Sequence, residues 1–101
     1  MEPVRPDAKV VLSVRVNFPK EGETVTHPAY TFQLGAMAGA VRVDVRIDEG
    51  PWARCRESLG LWWHEWNSGV DGPHSATARV WLADGTIRFS EPRAFLVRLK
   101  D

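Results

Sequence analysis

Four tryptophans, Trp52, Trp62, Trp63 and Trp66, crowd into fifteen positions of this 101-residue chain, and Trp81 makes a fifth. Exposed indole rings serve as anchors in protein interfaces and as flat platforms for sugar rings. In Leu61-Trp62-Trp63-His64-Glu65-Trp66, a strand would put Trp62, His64 and Trp66 on one face and Leu61, Trp63 and Glu65 on the other. Both faces cannot be core. With Leu61 and Trp63 inward, Trp62, His64 and Trp66 stand outside, and together with Trp52 they form the candidate binding surface. The competing reading buries these rings at the end of the fold or against the hairpin arm around Trp52, since large aromatics are mostly buried.

The other chemistry-bearing residues form no recognisable site. His27, His64, His74 and Cys55 are the soft metal ligands, but structural zinc sites bring ligands in close pairs and this spacing does not. A free thiol such as Cys55 packs as a small hydrophobe. Nothing matches a nucleophile elbow, a phosphate-binding glycine loop or a paired-carboxylate cleft. The expectation is a non-enzymatic protein with no catalytic residues, no metal and no cofactor.

Lys plus Arg and Asp plus Glu number 13 each, for a net charge of zero. Nucleic-acid binding draws on a basic excess, which is lacking, so no nucleic-acid partner is expected. Arg42, Asp44, Arg46 and Asp48 alternate along one strand face. Trp81 falls on an outward face with Ser75, Thr77 and Arg79, where arginine stacking would shield it, a structural role rather than a ligand site.

The elements that must position these residues are strands. Val10, Leu12, Val14, Val16 and Phe18 alternate with Val11, Ser13, Arg15 and Asn17 until Pro19-Lys20-Glu21-Gly22-Glu23 breaks the run. Tyr30, Phe32 and Leu34 make a second alternation. Val41, Val43, Val45 and Ile47 make a third, a β-branched inner face beneath a charged outer one. Asp48-Glu49-Gly50-Pro51 is a turn by composition, with glycine supplying positive φ, and residues 51–56 return from it. Residues 61–66 are a short strand. His74, Ala76, Ala78, Val80 and Leu82 mark a sixth, closed by the hairpin turn Asp84-Gly85. The last arm runs through Ile87-Arg88-Phe89, breaks at Ser90-Glu91-Pro92 and resumes over 94–99. The proline marks an edge or a strand that changes sheet. About seven short strands in this length favour an all-β, immunoglobulin-like antiparallel β-sandwich over a small barrel.

The length admits one core, and 44% hydrophobic residues suffice for it without disulfides. Residues 1–8 read as a flexible N-terminal segment and 9–101 as the domain. One cysteine excludes an internal disulfide, which fits a reducing compartment or a bacterial extracellular domain that does without them. The N-terminus lacks the apolar stretch of a signal peptide, and no run is long enough to insert in a membrane. As written the chain is expected in the cytoplasm, or outside the cell if excised from a longer protein.

Val43 to Trp52, Trp62-Trp63-His64-Glu65-Trp66, the segment from Gly72 to Val80, and Asp84-Gly85 together resemble bacterial immunoglobulin-like and fibronectin-type-III-like domains. Lys20-Glu21-Gly22-Glu23-Thr24-Val25, after Pro19, looks like the Pro-x-x-Gly-x-x-Val opening of bacterial members. The chain is also similar to the immunoglobulin-like dimerisation domain that follows the catalytic domain in sulfite-oxidase-type molybdenum enzymes. These 101 residues hold no molybdopterin-binding domain of their own, so no enzyme activity is expected from the resemblance. It implies a recognition or assembly module that binds a protein partner or itself through an exposed sheet face or edge strand. A carbohydrate-binding accessory domain and a passive spacer of a multidomain surface protein are the alternatives.

Overall fold

A computed structural model describes residues 13–67 and 70–99; the predicted tail, Val10 and Leu12 lie outside the described residues. The strands are β1 (Val14–Phe18), β2 (Glu23–Val25), β3 (Ala29–Ala36), β4 (Ala40–Ile47), β5 (Ala53–Arg54), β6 (Arg56–Ser58), β7 (Leu61–Asn67), β8 (Gly72–Leu82), β9 (Ile87–Phe89) and β10 (Arg93–Val97). The smaller sheet runs β1-β3-β7-β6. The larger runs β2-β10-β8-β4-β5, with β9 also paired to β8. Every pair is antiparallel except β2 with β10. The two sheets form an immunoglobulin/fibronectin-III-like sandwich.

The strand segments outnumber the seven expected because two predicted arms are each split in two and the short β2, which begins at Glu23 in the expected break, was not anticipated. The return arm after the 48–51 turn pairs with β4 only over Ala53–Arg54, then crosses to the other sheet as β6. Cys55 is buried at that crossing, its amide donating to the Val43 carbonyl at 2.8 Å. The last arm does not change sheet at Pro92: β9 and β10 pair with different stretches of β8.

The core is the set of inward positions that the alternation predicts. Val14, Val16, Phe32, Leu34, Val43, Val45, Ala76, Ala78, Val80, Phe95 and Val97 are buried. Full burial of each Val, Leu or Phe contributes roughly 1.5–3 kcal/mol. Two positions depart from the pattern. Val41, expected on the inner face, is 54% exposed, because a register shift between Ala40 and Arg42 leaves it unpaired opposite β8. Phe18 is displaced likewise by the shift after Val16. One extra residue on a strand reverses the alternation beyond it.

The turns also differ from expectation. In the 48–51 turn the positive φ angles belong to Asp48 (55°) and Glu49 (64°), with Gly50 N–H donating to the Ile47 carbonyl at 3.0 Å. That is the two-residue turn whose twist suits a hairpin, made without glycine at either central position. Asp48 is held by its side chain, which accepts from the Ser75 amide and pairs with His74.

Candidate functional site

The register of β3 against β7 decides where the tryptophans go. Trp62 lies opposite Leu34, His64 opposite Phe32 and Trp66 opposite Tyr30. Residues directly across an antiparallel pair share a face, and Phe32 and Leu34 are both fully buried. Trp62, His64 and Trp66 do share a face, as their spacing requires, but it is the inner one. The expected exposed platform is therefore corrected. Trp62 is 8% exposed. Trp66 packs edge-on to Phe32 and Phe95, with ring centroids 5.6 Å away in each case. His64 lies 6.3 Å from the Phe32 ring, and burial pushes its pKa down against the nearby Glu65 charge. The outward ring is that of Trp63, whose indole N–H donates to the Ser58 carbonyl at 3.0 Å.

Trp52 is placed differently. It precedes β5, and its ring lies over the outer face of the larger sheet. The Arg79 guanidinium is 4.2 Å from its centroid and that of Arg46 is 4.9 Å away. Arg79 also lies 5.3 Å from Trp81, and Arg42 lies 5.1 Å from it. Arg46, Trp52, Arg79, Trp81 and Arg42 thus make a chain of alternating cations and indoles. The arginine shielding expected at Trp81 is present. Sequence and register build this locally: Arg42 sits opposite Trp81 and Asp44 opposite Arg79 across β4 and β8, so all four share the outer face.

Asp44 organises the assembly. It is fully buried, and among the described residues it is the one charged side chain in that class. Its carboxylate accepts from Arg42 Nε at 3.0 Å, Arg79 Nε at 2.8 Å and Trp81 Nε1 at 2.9 Å. Burial, the largest single influence, opposes its ionisation, but the bonds from Arg79, Trp81 and Arg42 together hold its pKa below the ordinary value. Burial, assisted by the Asp44 charge, pushes the Cys55 thiol up to about 12.

The rim of the face is apolar and basic. Phe89 is 62% exposed, with its ring 6.1 Å from Trp52. Arg54, opposite Asp44 on the same face, is exposed. Ion pairs among the described residues engage Arg42 and Arg79 but neither Arg46 nor Arg54. The face can therefore offer planar, paired N–H donors to carboxylates beside an aromatic surface. Phe89 and Arg54 escaped sequence reasoning because each sits in a two- or three-residue strand. The signal was the Arg-x-Asp-x-Arg of β4 facing the Arg-x-Trp of β8.

His74 stacks on Phe95, with centroids 5.7 Å apart, and pairs through Nδ1 with Asp48 and through Nε2 with the Val70 carbonyl at 2.9 Å. Burial works against its protonation, but the Asp48 bond, the Val70 carbonyl and the Asp48 charge outweigh it and raise its pKa. No three metal-ligating side chains converge among the described residues.

Solved structures share this architecture. Fibronectin(III)-like modules of CbhA from Clostridium thermocellum superpose with a TM-score of 0.72 at 14% identity, covering 87% of this chain and 98% of that one. An engineered protein matches at TM-score 0.71 and 18% identity over 88% of this chain but 20% of its own length. CopC from Methylosinus trichosporium OB3b matches at 0.61 and 14% identity, over 82% and 89%. No protein-family model and no curated protein matches the sequence.

Proposed function

We propose that the domain is a non-catalytic recognition module that binds a protein partner through the outer face of its larger sheet, centred on Trp52 and Phe89. The observation that carries this reading is a 62% exposed phenylalanine beside a tryptophan stacked with two guanidiniums. Buried at an interface, aromatic and arginine side chains are the residues that most often dominate binding energy. Asp44 fixes Arg42 and Arg79, and through Arg79 the Trp52 ring, before any partner arrives, which lowers the ordering cost of association. Such a face suits a partner offering carboxylates at its rim and an apolar centre.

Sugar stacking is the weaker reading. A pyranose ring would have to share the Trp52 ring with the Arg46 and Arg79 guanidiniums that already stack on it. Trp62 and Trp66, the other platform candidates, belong to the core and its margin. Self-association, which the similarity to molybdenum-enzyme dimerisation domains implies, uses the same recognition class with a second copy as partner.

A photo-cross-linker replacing Phe89 tests the proposal in the source cell, with one replacing Thr31 on the opposite sheet as reference. A discrete protein adduct from position 89 that is lost with Trp52→Ala supports it. Adducts from position 31 alone refute the choice of face. Tryptophan fluorescence changes with polysaccharide that Trp52→Ala abolishes would favour the carbohydrate reading instead.

A further inference from the structure

One edge of the larger sheet is closed along half its length and open along the other half. Along Phe95–Val97, β10 is covered by β2 in parallel register. Where that pairing ends, Glu21 substitutes for a strand: its carboxylate accepts from the Ala94 amide at 3.3 Å, and the Gly22 amide donates to the Ala94 carbonyl at 2.8 Å. Along β9 no such cover exists among the described residues. The hydrogen bonds Leu82 N–H to Thr86 O and Ser90 N–H to Ala78 O set the alternation. Residues 86, 88 and 90 therefore turn their main-chain groups toward β8, and Ile87 and Phe89 turn theirs outward.

The open stretch borders a cleft. Across it stands β1, the edge strand of the smaller sheet, whose Ser13 carbonyl accepts from the Met37 amide. By the same alternation Val14 and Val16 turn their main-chain groups toward the cleft. The space between these edges is ≈ 850 Å³, lined by residues of β1, Glu21 and residues 86–93. Ile87 and Phe89 carry apolar side chains that are 37% and 62% exposed. An uncovered strand edge with apolar side chains is a template for another strand, and proteins normally blunt it. Here the blunting is applied to β10 and withheld from β9.

Charge selects the occupant. Arg15, Arg88 and Arg93 line the cleft, against Glu91 and the already committed Glu21. Arg79, opposite Phe89, lies on the other side of the sheet with Arg46 and Arg54 beyond it. A second copy of β9, paired with Ile87 against Phe89, would set the two Arg88 side chains opposite each other, which is destabilising. We propose that β9 is a strand-addition site for an extended segment of another protein, alternating apolar and acidic residues, which pairs with Ile87 and Phe89 and lies in the cleft against β1. This rests on the reading of the domain as a protein-recognition module, but it uses main-chain bonding at the edge rather than the Trp52 face.

Amide exchange of the full chain, followed by NMR, tests the site with a ten-residue alternating Val–Glu peptide and a Val–Lys peptide as control. The Val–Glu peptide should slow exchange at Ile87 and Phe89 at least tenfold, and the Val–Lys peptide should not. Ile87→Pro removes only an outward N–H and should abolish binding. Arg88→Glu, which leaves the backbone intact, should weaken it severalfold. Trp52→Ala should leave strand addition unchanged, so failure of the outer-face reading and failure of this one are separable. Three results would overturn the proposal: Ile87 and Phe89 amides already protected in dilute protein, protection that grows with protein concentration alone, or equal protection by both peptides.

Discussion

Asp44→Asn is the substitution that most directly tests the outer face. The carboxylate receives three donors at 2.8–3.0 Å from Arg42, Arg79 and Trp81. An amide is nearly the same size but has one acceptor oxygen and adds two N–H groups. Either orientation leaves at least one donor facing an N–H, and the charge that balanced two guanidiniums is gone. Breaking a buried ion pair costs about 3–5 kcal/mol, and a stranded buried donor alone costs about 1–3 kcal/mol. Arg42 keeps 39% of its side chain in water and Arg79 keeps 20%, so solvent offsets part of this. The expected loss is about 3 kcal/mol, or roughly 12–24 °C in Tm for a domain of this size.

Urea unfolding followed by tryptophan fluorescence measures that loss, and pH supplies a second, independent readout. The Asp44 pKa is lowered in the folded protein. Its contribution is therefore present above the unfolded carboxylate value, about 3.9, and disappears as pH falls through the lower folded value. The gap between native protein and Asp44→Asn should be full at pH 7 and should narrow below about pH 4. The exposed pair Arg56–Glu65, with side chains 62% and 69% accessible, is the reference: Arg56→Ala should cost under ~1 kcal/mol. If Asp44→Asn costs no more than Arg56→Ala, or if its gap is independent of pH, the carboxylate is not what holds the face together.

His74 titrates in the opposite sense. Its folded pKa is raised, so its contribution is complete below about 6.5 and is lost as pH rises through the folded value. Denaturation midpoints measured from pH 6 to 9 should fall in the native protein, and Asp48→Asn, which keeps the acceptor for Ser75, should flatten that slope. An unchanged slope in Asp48→Asn would remove the pairing as its cause. At the β6–β7 turn, Leu59 is held at φ 57° while 91% exposed, with Gly60 at 77°. Leu59→Asn makes the Asn-Gly pair this turn favours and should stabilise by about 0.5–1 kcal/mol, read as a Tm increase of roughly 2–8 °C.

Where one face of a strand is apolar and the other polar, the sequence alone placed its residues. Val43 and Val45 of β4, and Ala76, Ala78 and Val80 of β8, point inward as their alternation requires. The run Leu61-Trp62-Trp63-His64-Glu65-Trp66 could not be placed that way, because it carries tryptophan on both faces. Its orientation follows from pairing with Phe32 and Leu34, about thirty positions upstream, and a register is not written in either strand alone. Val41 was misplaced for a similar reason: the shift beside it depends on how β4 meets β8 and leaves no mark in composition. Alternating charge on β4 read as a solvated face, yet Asp44 is fully buried. Its cover comes from Arg79 and Trp81, more than thirty residues away. Glycine was expected to supply the positive φ of the 48–51 turn, but Asp48 and Glu49 adopt it, with Asp48 held by Ser75 and His74.

The tryptophans therefore divide by the sheet that carries them. Trp62 and Trp66 fill and rim the core of a domain that has no disulfide, whereas Trp52 and Trp81 are bound to arginines on an outer face. Within that face the arginines divide again. Arg42 and Arg79 are committed to Asp44, so truncating them disturbs the fold as well as any interface. Arg46 and Arg54 have no carboxylate partner among the described residues and keep their donors for whatever approaches. Phe89 adds the apolar surface that a desolvated contact needs. Binding energy should accordingly reside in Trp52, Phe89, Arg46 and Arg54, with Asp44 and Trp81 acting through order. A partner that depended chiefly on Arg42 or Arg79 would have to compete with the buried carboxylate for the same N–H groups, which makes those two arginines the scaffold of the surface rather than its contacts.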